Sequence, residues 1–304
     1  AYAFGIRQII VCVNKMDSRP CNYKERFFQK SVTSLQTTLK KIGFKREQID
    51  FIPVSAWCGD NLLYKSGKMP WYQGKTLFEA IESIERTKAP ASGALRMPIS
   101  DIHYIAGIGI VAVGRIQTGT IVPETQLEIQ PDPHGVNGGI TVTSIERNFE
   151  NLTMANPGDY IGVCLKNVNG RRSLQTGMVI GTVDNPTAVI NSFIAQIVIV
   201  HHPTVIRPGY IPVLTCHTSF IPCKWDKFLQ RIDSRGRILE DNPQTLKTKD
   251  SALVEMIPQK PIFVERYEEN PGLGRFCMWD SGSVIAVGII KSVQISRSGS
   301  LTKA

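Results

Sequence analysis

No apolar run in the 304 residues approaches the roughly 18 to 20 that span a bilayer, and no cleavable leader opens the sequence. Neither a membrane helix nor a secretory signal is therefore expected. The seven cysteines (Cys12, Cys21, Cys58, Cys164, Cys216, Cys223 and Cys277) are odd in number and contain no Cys-x-x-Cys pair. Several sit inside apolar, strand-like runs. That argues against a disulfide framework or zinc ribbon and for a reduced, intracellular chain that uses cysteine as a small hydrophobe. The pairs His201-His202 and Cys216-His217 lie at expected strand ends with no converging carboxylate or cysteine pattern, so no metal site is expected. There is no exact repeat and no low-complexity tract. An initiator methionine is also missing. Ala1 to Gln8 read as the tail of a helix entering a strand, which points to a fragment whose N-terminal part is absent.

What is present is ordinary globular composition, 42% hydrophobic and 20% charged. The net charge of +9 favours a polyanionic partner. Residues 1–90 carry 15 basic and 8 acidic side chains, residues 91–187 carry 6 and 8, and residues 188–304 carry 14 and 10. The basic excess therefore lies at the two ends of the chain.

Residues 8–13 form a continuous apolar run, as expected of a buried parallel strand. Residues 23–41 place Phe27, Val32, Leu35 and Leu39 at near-helical spacing, with basic residues in the last turn and Gly43 to end the helix. The basic face of this helix reads first as solvated surface and second as a contact for a partner. A second strand at 50–56 and a second helix at 76–87, with Leu77, Ile81 and Ile84 on one stripe, complete half of an α/β domain. After a small-residue linker at 88–94, short β-branched runs recur between Gly, Pro, Asn and Asp. A second linker at 184–191 leads into another such series. Two antiparallel barrels or sandwiches are expected.

The chemistry concentrates in Asn14-Lys15-Met16-Asp17, placed where the first strand ends. A carboxylate at Asp17 can accept from the N1–H and 2-amino group of guanine together, a donor pair that adenine does not offer. Asn14 can meet the other edge of the base and tie neighbouring loops, and the stem of Lys15 can lie over the purine. Such bidentate contacts carry roughly 1–3 kcal/mol of discrimination. The second strand delivers Ser55-Ala56-Trp57, where small residues let a backbone N–H approach the 6-oxo group. Nothing in the sequence completes a nucleotide site at its phosphate end. No Gly-x-x-x-x-Gly-Lys-Ser/Thr loop occurs, and no Asp-x-x-Gly turn follows a nucleotide-binding strand. Asp280-Ser281-Gly282-Ser283 fails the spacing and lies in the last β region.

The chain resembles the translation elongation factor 1-alpha family, relatives of elongation factor Tu. The likeness runs through GIRQIIVCVNKMDS (5–18), FIPVSAWCGDNLL (51–63), GIGIVAVGRIQTGTIVP (107–123), GYIPVLTCHTSFIPCKW (209–225), PGLGRF (271–276) and VIAVGIIKSV (284–293). It implies an α/β fold, a partial P-loop GTPase domain, followed by two antiparallel β-barrels. The expected domains are the C-terminal part of a GTP-binding domain at 1–88 and barrels at 95–183 and 190–297.

The resemblance also implies a cytoplasmic, monomeric GTPase that binds GTP or GDP, carries aminoacyl-tRNA to the ribosome and is recharged by a guanine-nucleotide exchange factor, without a membrane. Guanine contacts fall on Asn14, Lys15, Met16, Asp17, Ser55, Ala56 and Trp57. Magnesium and the catalytic groups fall in the part that precedes this chain. Asp101, Gly109, Gly114, Arg115 and Glu146 match positions of the family's pocket for the aminoacylated tRNA end, although the glycines also suit barrel corners and Arg115 a surface strand. Four positions depart from the family: Asn148 and Tyr160 beside that pocket, and Trp279 and Gly282 where arginines are usual. Two other readings stay open. One is a paralogous termination or ribosome-rescue GTPase; the other is a non-catalytic platform for RNA or protein.

Overall fold

The computed structural model describes residues 5–85, 93–132, 139–168, 174–185, 189–233 and 236–295. The chain divides into two compact units, residues 1–87 and 88–304. Parts of both expected linkers, 88–92 and 186–188, fall outside the described residues, as do the last two residues, 86–87, of the expected second helix.

In the first unit β1 (Ile9–Val13) and β2 (Ile49–Pro53) pair in parallel, Ile9 opposite Ile49 and Val13 opposite Pro53. A parallel pair needs a crossover, and α1 (Glu25–Ile42) supplies it. The strands alternate their faces. Ile9, Val11, Val13, Ile49 and Phe51 pack toward Phe28, Val32 and Leu39, while Ile10, Ile52 and Val54 pack toward Ala80 and Leu77. Gly43 ends α1 at φ 116, and its N–H reaches the carbonyls of Leu39 and Lys40.

Three expectations are corrected here. Phe28, not Phe27, is the helix residue fully taken into the core, and Leu35 is exposed. The spacing Phe28, Val32, Leu39 follows the helical period as well as the expected stripe does, so the sequence alone does not separate the two. The second helix, α2, covers only Leu77–Glu82. Thr76 and Glu79 form a capping box at its start, and Ala80 is its one buried residue. Ile81 and Ile84 remain 51% and 47% exposed, because two strands give α2 only the small Ile10–Ile52–Val54 patch to cover. Finally, β1 is half-buried rather than buried, and Cys12 is exposed. Among the described residues it pairs on one side only.

The second unit holds two closed six-strand barrels. The first comprises β3 (Met97–Ile105), β4 (Gly109–Arg115), β5 (Gln126–Gln130), β6 (Ile140–Arg147), β8 (Tyr160–Lys166) and β9 (Val179–Thr182), with β7 (Glu150–Asn151) as a hairpin on β6. Its ring runs β5-β9-β3-β4-β8-β6 and is shut by pairing of β5 with β6. The second comprises β10 (Ile190–Ile199), β11 (Val213–Cys216), β12 (Ser219–Ile232), β14 (Ser251–Pro258), β15 (Arg275–Asp280) and β16 (Ser283–Ile295), with β13 (Ile238–Asp241) as a hairpin on β12. It closes through β11 and β12. Closure removes the strand edges that an open sheet would expose.

Each barrel has its own core. Met97, Ile99, Ile129 and Val142 fill the first; Phe193, Trp225 and Phe276 fill the second. Trp225 stands edge-on between Tyr210 and Phe228. The barrels meet through Val179, Phe263 and Leu273. Beside that cluster the Arg96 guanidinium donates to Glu265 at 2.6 Å and to the carbonyls of Leu95 and Asn185 at 2.9 and 3.0 Å. The four cysteines of this unit, Cys164, Cys216, Cys223 and Cys277, are buried and free.

Candidate guanine-reading site

Where β1 and β2 end, the ladder continues for one more step. The Val54 N–H donates to Val13 O at 2.9 Å, and the Met16 N–H donates to Val54 O at 3.2 Å. Met16 is 1% exposed and anchors the turn from below. Its side chain is a core group, unlike those of Asn14, Lys15 and Asp17 around it. With Met16 held, Lys15 takes a left-handed backbone at φ 63, and the turn carries Asn14 and Asp17 at the surface.

The two loops are joined by side chains. Asn14 Oδ1 accepts from the backbone N–H of Lys15 at 2.7 Å and of Ala56 at 3.0 Å. Buried Ser55 donates its hydroxyl to Asp17 Oδ1 at 2.6 Å and accepts from the Cys58 N–H at 3.2 Å. The second Asp17 oxygen has no hydrogen-bond partner among the described residues. Ala56 has committed its N–H to Asn14, and the next backbone donor along the loop is the N–H of Trp57. That indole is 92% exposed at the rim. Asn14, Asp17, Ser55 and Ala56 are thus brought into one hydrogen-bonded cluster, with Lys15 and Trp57 flanking it.

The residues matched to the tRNA-end pocket are spread over the first barrel. Asp101 pairs with Val113, Val113 with Gly162, and Gly162 with Glu146, which puts Asp101 and Glu146 on one outward row three strands apart. At about 4.8 Å per strand they stand roughly 14 Å from each other. Arg115 opens the next row opposite Tyr160, and its Nε donates to Gly158 O at 3.2 Å. The three side chains flank a strip floored by Gly162. Gly109 lies away from them at the other end of β4, at φ 118. Gly114 faces inward, and a Cβ there would sit 2.3 Å from Pro98 O, so close packing accounts for this glycine.

The departing residues also have local structure. Asn148 and Phe149 form the β6–β7 turn at φ 52 and 68, with Phe149 fully exposed. Tyr160 shares a hydrogen bond with Ser100 at 3.0 Å. Ser281 and Gly282, at φ 49 and 77, make the two-residue turn between β15 and β16, a geometry that favours glycine over arginine. Trp279 lies half-buried on β15, opposite Val213. His202 Nδ1 and His217 Nε2 face the backbone carbonyls of Thr204 and Phe263. Burial lowers His217 to about 4, against the hydrogen bond to Phe263. No group of three His, Cys, Asp or Glu among the described residues is placed to hold a metal ion. Among the described residues no helix is long and apolar enough to cross a membrane. Sequence reasoning passed over Tyr23 and Asp60, which bind each other across the two loops. They are 37 residues apart, and no periodic signal connects them.

An α/β unit followed by two closed barrels is a fold this chain shares with solved structures. It is similar to Sup35 complexed with GMPPNP, at 27% identity and a TM-score of 0.62, covering 95% of this chain and 70% of that one. It is also similar to Sup35 complexed with GDP, at 28% identity and a TM-score of 0.61 over the same shares. The family "GTP-eEF1A C-terminal domain-like" matches residues 192–291. Among curated relatives, elongation factor 1-alpha of Stylonychia lemnae is 40% identical over 307 residues, spanning all of this chain and 68% of the relative. Elongation factor 1-alpha of Cenarchaeum symbiosum (strain A) is 40% identical over 290 residues, spanning 95% of this chain and 65% of the relative. The chain belongs to the elongation factor 1-alpha family.

Proposed function

We propose that this chain is the base-reading and carrier portion of a translational GTPase that delivers aminoacyl-tRNA to the ribosomal A site. The observation that carries the proposal is the clasp of Asn14 on Ala56 and of Ser55 on Asp17, which sets one carboxylate and one free backbone N–H at neighbouring strand ends. Asp17 accepts from N1–H and the 2-amino group, and Trp57 N–H donates to the 6-oxo group. Lys15 covers one face of the purine. Adenine reverses donor and acceptor at both places, so it is refused by two mismatches, each left unpaired. GTP or GDP is the cofactor.

The chain spans 68% of the length of the Stylonychia lemnae relative. Among the described residues no cluster of acidic, histidine or cysteine side chains offers magnesium a site. Phosphate binding and hydrolysis are assigned to none of the residues of this chain.

The strip between Asp101, Arg115 and Glu146 is proposed to take the aminoacylated tRNA end, and the net charge of +9 favours RNA and ribosome as partners. An exchange factor and a cytoplasmic site of action follow from the same reading. A second reading is a paralogous GTPase of termination or ribosome rescue. It is favoured by Trp279 and Gly282, which offer no guanidinium to phosphate where arginines are expected. Filter binding with charged and uncharged tRNA separates the two. A preference for the charged form supports delivery, and equal retention of both overturns it.

A further inference from the structure

Behind the clasp lies a second connection between the same two loops. Ser55 and Asp60 exchange backbone hydrogen bonds at 3.2 and 3.1 Å, so the Asp60 main chain is tied to the residue that holds Asp17. The Asp60 carboxylate faces the other way. Its Oδ2 accepts from the Tyr23 hydroxyl at 2.9 Å and from Lys68 Nζ at 3.3 Å, and its Oδ1 accepts from the Ser66 hydroxyl at 2.7 Å. Tyr23 is tied in turn to the first loop, since its N–H donates to Met16 O at 2.8 Å and its carbonyl accepts from Trp71 Nε1 at 2.9 Å. Lys68 closes the triangle, with Nζ 3.2 Å from the Tyr23 oxygen and 4.9 Å from the centre of the ring.

The charge states agree with this geometry. Burial alone would raise the Asp60 carboxyl, but hydrogen bonds from Ser66, Tyr23 and Lys68 outweigh it and hold the group below its ordinary value. Partial burial, then Cys58 and Asp60, push Tyr23 up to about 12 against the pull of Lys68, so Tyr23 stays a donor at neutral pH. A carboxylate with three donors on two oxygens is fixed in position.

We propose that Tyr23, Asp60 and Lys68 are positioning residues for base recognition, bracing the 14–17 turn against the 55–57 loop so that Asp17 and the Trp57 N–H keep the spacing of a guanine edge. The inference rests on the guanine reading given above. None of the three residues needs to touch the base. The brace acts through the hydrogen bond between Ala56 and Asn14, which opens when the loops separate.

The test uses the 304-residue chain and its Tyr23→Phe, Lys68→Met and Lys68→Arg variants, with guanosine and adenosine 5′-monophosphates as probes. Two quantities are read by nuclear magnetic resonance: amide exchange at Ala56, and the shift of the Trp57 indole on titration. Tyr23→Phe and Lys68→Met are expected to speed Ala56 exchange about three- to tenfold and to weaken the guanosine response by the same factor, as loss of one hydrogen bond implies. Lys68→Arg is expected to retain both, and exchange at Ile52 in the core is expected not to change. Unaltered Ala56 exchange overturns the brace. Equal acceleration at Ile52 overturns it as well, because the residues are then merely structural. If the parent chain does not prefer guanosine over adenosine monophosphate, base reading itself falls and the role in recognition falls with it. The exchange measurements still decide whether the brace exists.

Discussion

Replacing Glu265 by alanine tests one of the contacts between the two barrels. Its carboxylate lies 2.6 Å from Arg96 Nε, with side-chain exposures of 10% for Arg96 and 19% for Glu265. Breaking a fully buried pair costs about 3–5 kcal/mol, whereas an exposed pair is worth less than about 1 kcal/mol. Arg96 keeps its bonds to Leu95 O and Asn185 O and its place over the Phe263 ring, so only Nε is left without a partner. A loss of about 2–3 kcal/mol follows. Glu265→Gln keeps an acceptor of the same shape and should lose about 1 kcal/mol, the difference between a charge-assisted and a neutral bond. A chain of two units need not unfold in one step, so the assay is native-state hydrogen exchange read separately at β3 and β14. The double variant Arg96→Met, Glu265→Leu should lie closer to the parent than Glu265→Ala does. A Glu265→Ala loss below about 0.5 kcal/mol, or one that is the same in an Arg96→Met background, would show that the two side chains do not stabilise each other.

Other outcomes follow from single contacts. Thr76→Ala removes one half of the capping box on α2 and should cost about 1 kcal/mol in urea unfolding of the first unit. Gly114→Ala places a Cβ 2.3 Å from Pro98 O, a backbone atom that cannot rotate away, so its thermal midpoint should fall by several degrees. In the second barrel, hydrogen bonds from Tyr210 and then Ser281 hold the Asp280 carboxyl below its ordinary range. A depressed folded value adds stability above the unfolded value of about 3.9 and loses it as pH falls through the folded one. Urea midpoints of the parent should therefore fall more steeply below about pH 4 than those of Tyr210→Phe, and the two curves should converge in acid. Parallel curves would remove Asp280 from the account.

The parts of the fold that could be read in advance depend on neighbours close in sequence. The period of α1, its Gly43 stop, and the change from helical runs to short β-branched strands after residue 94 are all local signals. What escaped depends on partners far along the chain. Phe28 and Phe27 both satisfy a helical stripe, and the choice between them is made by Met69 and Trp71. The length of α2 is set by how much apolar sheet lies beneath it, which Ile81 and Ile84 do not reveal. Arg96 and Glu265 are 169 positions apart. At the site, the Asn-Lys-x-Asp turn at a strand end was legible, but the sequence did not show that Ala56 spends its N–H on Asn14. Nor did it separate Met16, a core residue, from the surface groups beside it. Gly282 stands out in the sequence as a missing arginine, and the β15–β16 turn supplies a backbone reason for it.

In the proposed function Asp17 accepts from the N1–H and 2-amino edge of guanine. Xanthine carries a 2-oxo acceptor in place of the 2-amino donor, and an amide side chain can donate where a carboxylate cannot. The decisive measurement is therefore titration of the chain and of its Asp17→Asn variant with guanosine and xanthosine 5′-monophosphates, read at the Trp57 indole. The parent should prefer guanosine and the variant xanthosine, each by roughly tenfold or more, as one bidentate contact allows. An Asp17→Asn variant that still prefers guanosine monophosphate would show that Asp17 does not read the base.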